Sequence, residues 1–258
     1  MSLWSYVDPL LAKHPERDRI LILIAERLAD VGNLWLFRPT FDTVLKALNA
    51  AHQRKQITGC FILSNNGSAR LVEVVRLALN CRVRKLTGAT ETPRLFMAGW
   101  HRTAPCRQRS LVKSWDVVQR CLASAGLQTL SRRSDLLFFD DLNHVLTHEI
   151  PHYVRVTPYY NYTPHALVYR EIQNILKSEG IPAEDLKAAY TAAARNEEED
   201  VREDKEMIVR PPTAAQADSS EFLEGLRKFL VSPLHTRRRL RGGRSQRRAS
   251  RRSRSRRH

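Results

Sequence analysis

No run of 18 apolar residues occurs in the 258-residue chain, so the sequence predicts no membrane-spanning helix. Met1–Pro9 lacks the basic-then-apolar order of a signal peptide. Cysteine is scarce: Cys60, Cys81, Cys106 and Cys121 show no paired ligand spacing. That argues against a zinc ribbon or a disulfide framework and predicts reduced thiols in an intracellular protein. No internal repeat is visible. Acidic residues are wholly absent from Arg237–His258, where 12 arginines stand. The formal net charge is +16, and without that segment it is about +4, so the excess charge is concentrated there.

What remains has 42% hydrophobic residues, enough for a core and for one or two domains. Trp4–Leu11 is a short apolar lead. Ile20–Leu28 is apolar and β-branched, between Pro15 and Gly32; a helix and a buried strand both fit it. Leu34–Phe37 is strand-like and is stopped by Arg38-Pro39. Thr40 is a candidate cap for a helix over Phe41–His52, with Phe41, Val44, Leu45 and Leu48 on one face. Gly59–Leu63 reads as a buried strand, followed by the small polar turn Ser64–Ser68 and a helix to about Asn80.

Arg94–Ala98 is a further short strand, His101–Arg109 a basic loop, and Leu111–Ala125 a helix closed by Gly126. Ser134–Asp140 ends its apolar run in Asp140-Asp141, Tyr153–Val156 is another strand, and Pro164–Ser178 is a helix ended by Gly180. Strands alternating with helices predict an α/β fold with a doubly wound parallel sheet. Residues 59–64, 94–98 and 134–140 are expected as parallel strands of one sheet, with Leu63 and Phe139 buried. The expected division is an α/β domain over 1–180, a mixed-charge linker over 181–218, a short amphipathic helix over 219–232 and a disordered Arg/Ser-rich tail over 233–258. The stripe of Phe222, Leu223, Leu226, Phe229 and Leu230 can pack back on the domain or meet a partner.

The candidate chemistry lies at strand ends, where open α/β sheets bind ligands. Ser64 and Asn65 follow one strand, Lys113 precedes a helix, and Asp140 and Asp141 follow another strand. A hydroxyl, an amide and an ammonium suit phosphate oxygens, and paired carboxylates suit Mg²⁺. The plain alternative is a strand followed by an Asp-rich turn. His144, His148 and His152 could ligate zinc at four-residue spacing, although Pro151 interrupts any helix there. Tyr153, Tyr159, Tyr160 and Tyr162 beside Arg155 form either a base-stacking cluster or a core corner.

Phe37–Leu45, Ile62-Leu63-Ser64-Asn65-Asn66, Lys113 and Phe138-Phe139-Asp140-Asp141 together resemble, in order and spacing, motifs of the haloacid dehalogenase superfamily. The resemblance covers about Ile20–Lys177 and is nearest the branch of RNA polymerase C-terminal-domain phosphatases and NLI-interacting-factor-like proteins, some of them viral. It implies a Rossmann-like fold, Ser64, Asn65 and Lys113 on phosphate, and Asp140 and Asp141 on Mg²⁺. The family's first motif carries two aspartates, nucleophile and general acid/base. The best alignment puts Leu23 and Ala25 there, and neither attacks phosphorus or moves a proton.

Arg237, Arg238, Arg239, Arg241, Arg244, Arg247, Arg248, Arg251, Arg252, Arg254, Arg256 and Arg257 form a polycation suited to a nucleic-acid backbone, with nuclear import as the simpler use. Ser245, Ser250, Ser253 and Ser255 lie among them as phosphorylation candidates. The functional expectation is a catalytically impaired phosphatase-like protein that binds DNA or RNA through this tail, nuclear or virion-associated, in packaging, assembly or transcription. The alternatives are an active Mg²⁺-dependent phosphatase acting on a phosphoprotein, and a structural subunit of a ribonucleoprotein or capsid.

Overall fold

A computed structural model of the chain describes residues 10–12, 14–30, 40–65, 68–107, 112–142, 146–157, 165–188, 191, 213–214 and 218–232. The expected strand at Leu34–Phe37, the acidic stretch 197–206 and the whole arginine tail lie outside the described residues. The fold is mixed α/β with short parallel strands. It divides into two units, Met1–Leu111 with Thr157–Ser219, and Val112–Val156 with Ser220–His258.

In the first unit, the ambiguous segment is a helix, α1 (Arg17–Asp30). Ile20, Leu21, Ile24, Ala25 and Ala29 recur at helical spacing and are all buried, and that one-sided burial outweighs the β-branched preference for a strand. Helix α2 (Phe41–Gln53) buries Val44, Leu45, Leu48 and Ala51. Thr40 makes no side-chain capping bond; its hydroxyl donates instead to Ser219 Oγ at 2.8 Å, which corrects the expected cap.

Strand β1 (Cys60–Leu63) leads through the polar turn to α3 (Ala69–Thr87). Ser68 caps that helix, accepting from the Leu71 N–H at 3.1 Å. The helix runs seven residues past the expected end at Asn80, because Cys81 and Val83 extend its buried face. Gly88 closes it with φ +66°, the left-handed cap that glycine adopts without strain. Strand β2 (Phe96–Trp100), shifted two residues from its expected position, pairs parallel with β1.

Asn80 is 3% exposed. Its side chain donates to the Phe96 carbonyl at 3.0 Å and accepts from the Phe96 N–H at 2.9 Å. Helix α3 thus completes the start of β2 as a neighbouring strand would. At Gly99 a Cβ would stand 2.7 Å from a Val72 methyl, so glycine lets β2 approach the helix closely.

Helix α6 (His165–Ser178; α4, α5 and α7 follow below) adds Ile172 and Leu176 to the core of α1 and α3. Ile181 and Leu186 join the same cluster, and 183–188 is helical. The first residues of the expected linker are therefore core residues, held by the apolar spacing that follows Gly180.

In the second unit, α4 (Trp115–Ser124) starts four residues later than expected, where Ser114 Oγ accepts from the Val117 N–H. Strand β3 (Phe138–Asp140) follows a 3-10 turn at Arg133–Asp135. The turn α5 (Leu146–Glu149) leads to β4 (Tyr153–Arg155), which pairs parallel with β3. The expectation of one sheet holding all three strands is corrected: the described strands form two separate parallel pairs. Leu63 is buried as expected, whereas Phe139 is half-buried. Helix α7 (Ser220–Val231) packs back on β4, burying Leu226 and Phe229. Among the described residues no helix is long and apolar enough to cross a membrane.

Asn80→Leu should remove both bonds and strand the Phe96 N–H, costing about 1–3 kcal/mol. Chemical denaturation of the variant tests this; unchanged stability would show that the clamp contributes nothing.

Candidate functional site

The residues singled out for phosphate and metal chemistry fall in both units. Ser64 and Asn65 belong to the first unit, and Lys113, Asp140 and Asp141 to the second.

Ser64 leaves the end of β1 with its N–H donating to the Trp100 carbonyl at 2.9 Å. The turn is held by Arg107, which is fully buried. Its guanidinium donates to the Ser64 carbonyl and to Asn65 Oδ1 at 2.8 Å. The fork geometry of arginine matches two acceptors at once. Asn65 therefore spends its carbonyl oxygen on the protein's own guanidinium. The sequence places Arg107 in the basic loop His101–Arg109; in the structure it ends a 3-10 turn, Pro105–Arg107.

In the second unit Lys113 and Asp140 form an ion pair through Nζ and Oδ2. Their side chains are 10% and 8% exposed, so this is a buried pair. The Lys113 ammonium also sits 5.7 Å from the centre of the Phe138 ring, within cation–π range. The other Asp140 oxygen, Oδ1, accepts from the Leu142 N–H at 3.0 Å. The backbone is tied in as well: the Lys113 carbonyl accepts from the Leu146 N–H at 3.1 Å, and Glu149 accepts from the Trp115 N–H at 2.7 Å. Lys113, two residues before α4, is thereby fastened to the end of β3 and to α5.

The Tyr153 hydroxyl donates to the Leu142 carbonyl. Burial, followed by the nearby Asp140 carboxylate, pushes its phenol above the ordinary tyrosine value. A raised folded-state value favours the neutral phenol. Its contribution to stability is present below the unfolded-state value of about 10 and is lost as pH rises past the folded-state value.

Each Asp140 oxygen holds one partner, Oδ2 the Lys113 ammonium and Oδ1 the Leu142 N–H, so a cation bound here would compete with Lys113. Asp141 is half-buried beside Asp140. Among the described residues no group of three or more His, Cys, Asp or Glu is placed to hold a metal ion. His152 lies edge-on to Phe229 at 5.1 Å, His148 is in α5, and His144 lies outside the described residues, as do Tyr159, Tyr160 and Tyr162. Tyr153 packs on Phe138 with ring centres 5.9 Å apart, so this tyrosine takes a packing role. Leu23 and Ala25 stand within α1, with Ala25 fully buried, so neither is at a strand end. The tail arginines and Ser245, Ser250, Ser253 and Ser255 lie outside the described residues.

No family model matches the chain, and no curated protein or solved structure matches it at a significant level.

Lys113→Met and Asp140→Asn should each destabilise the protein by about 3–5 kcal/mol, since each leaves a buried polar group without its partner, whereas K113M/D140L should recover much of that loss. Urea denaturation of the three variants checks this. Single variants within about 0.5 kcal/mol of the parent would place the pair with exposed ion pairs of little consequence.

Proposed function

We propose that this protein binds nucleic acid through its C-terminal arginines, and that its folded units act as a scaffold and not as a phosphatase. The observation that carries this is the partition of charge. In the second unit, residues 112–156 and 220–231 carry seven Lys or Arg and seven Asp or Glu, so that part has no net charge. The 12 arginines of 237–257 follow it with no acid among them. Closely spaced guanidiniums displace counterions from a phosphate backbone and bind it tightly, with strong salt dependence and little sequence preference. The likeness to the haloacid dehalogenase superfamily enters this reading as a fold-level expectation only. Its doubly wound sheet would need β3 to join β1 and β2. Its chemistry would need a carboxylate nucleophile where α1 carries Leu23 and Ala25.

A protein ending at Thr236 tests this against the full chain on a duplex of 20–30 base pairs. Helix α7 ends at Val231, so the truncation spares the described elements and their circular dichroism should persist. If six to ten arginines touch phosphates, affinity of the full chain should fall by about 10³–10⁵ between 50 and 200 mM salt. The truncated protein should lose most of its affinity and the salt slope. Equal affinity and slope in the two proteins would move the binding surface to the folded units and overturn the proposal.

A further inference from the structure

Tight, sequence-indifferent binding raises the question of release, and the folded part of the second unit offers no counter-charge. Its seven basic and seven acidic residues cancel. Of those acids, Asp140 is engaged by Lys113, Glu149 by the Trp115 N–H, and Glu224 by Lys228 at 2.6 Å. Nor can release come cheaply from detaching the tail. Helix α7 is seated on β3 and β4, where a Cβ on Gly225 would stand 2.5 Å from a Val154 methyl and Phe222 lies 5.0 Å from Phe139, ring to ring. Only residues 232–236 separate that helix from Arg237. Negative charge placed on the tail itself would free the nucleic acid most directly.

The tail has acceptors for it. Ser245, Ser250, Ser253 and Ser255 each lie within two residues of an arginine on both sides, and Arg247-Arg248-Ala249-Ser250 places two guanidiniums immediately before an alanine and a serine. We propose that these four serines are substrates of a protein kinase that selects basic sequences, and that their phosphorylation releases nucleic acid. The inference rests on the tail-binding reading above. The kinase, acting in trans, transfers the γ-phosphoryl group of ATP to the serine oxygen. The P–O bond to the leaving diphosphate breaks, the new P–O bond to Oγ forms, the hydroxyl proton passes to the kinase's carboxylate base, and ADP departs. Each phosphate adds about −1.5 to −2 charge, so four bring about −6 to −8 against +12. Each phosphate also pairs with neighbouring guanidiniums through charge-assisted bonds, which withdraws further arginines from the backbone.

The test uses the full chain, a basic-directed protein kinase with ATP, and duplex binding measured across a salt series. Phosphate incorporation is mapped by mass spectrometry. Phosphorylated protein should bind at least about tenfold more weakly at 150 mM salt, with the slope of log affinity against log salt reduced by about half or more. The S245A/S250A/S253A/S255A variant, treated identically, should keep the parent affinity and slope. A variant with glutamate at all four positions should lie between the two, since each glutamate brings a single charge. No incorporation at any of the four serines, or four phosphates with an unchanged slope, would overturn the inference while leaving tail binding intact. Absence of tail-dependent binding in the unmodified protein would instead remove the reading on which it rests.

Discussion

Two parallel strands of four or five residues cannot hold themselves together in water, and the first unit depends on how α3 solves that problem. The β1–β2 ladder leaves the start of β2 short of partners. Asn80 supplies a donor and an acceptor from within the helix, and Arg76 adds a bond to the same Phe96 carbonyl at 3.2 Å. The opposite side of α3 buries Val74, Ala78 and Cys81 in the α1 and α6 cluster. One helix therefore carries the sheet on one side and the helical core on the other. Its polar rim is tied down too: Arg82 grips Asp42 and the Ala29 carbonyl, and Arg84 pairs with Glu26. These ion pairs are partly exposed and contribute modestly. The buried amide is costly to leave unmatched.

The second unit meets the same difficulty with less material. Its strands have three residues each, and among the described residues no long helix such as α3 spans them. The Lys113–Asp140 pair joins the segment leading into α4 to the last residue of β3, and α7 arrives from far along the chain to cover β4. A buried ion pair adds little net stability compared with a well-packed apolar pair, yet breaking it is expensive. Its effect is to make one arrangement of α4, β3 and α5 preferable to others. Lys113 and Asp140, which a phosphatase likeness assigns to phosphate and metal, are thus occupied in holding the unit together.

Much of this was legible in the sequence. The spacing of Val44, Leu45 and Leu48 identifies α2, Ser68 and the apolar run after it identify α3, and the stripe around Leu226 and Phe229 shows that α7 has a face to bury. Three features were not legible, each for a physical reason. Ile20–Leu28 suits strand and helix equally by local preference, and only tertiary burial of Ile20, Ile24 and Ala25 decides. Which strands share a sheet is a long-range property, and the apolar runs of β1, β2 and β3 look alike one at a time. Asn80 reads as a helix end and Arg107 as part of a basic loop, since polar side chains are usually exposed. Their burial follows from backbone groups that come near only on folding.

The charge of the tail was visible from the first, but its meaning depends on the neutrality of what it is attached to. Were the folded part of the second unit basic, the arginines would extend a surface already attractive to phosphate, and folded geometry could select among sequences. Because that part is balanced, any attraction of the second unit for phosphate would come from the tail. In the proposed binding, selectivity would come from the length and local density of phosphates, and ionic strength and charge added to the tail would be its main controls.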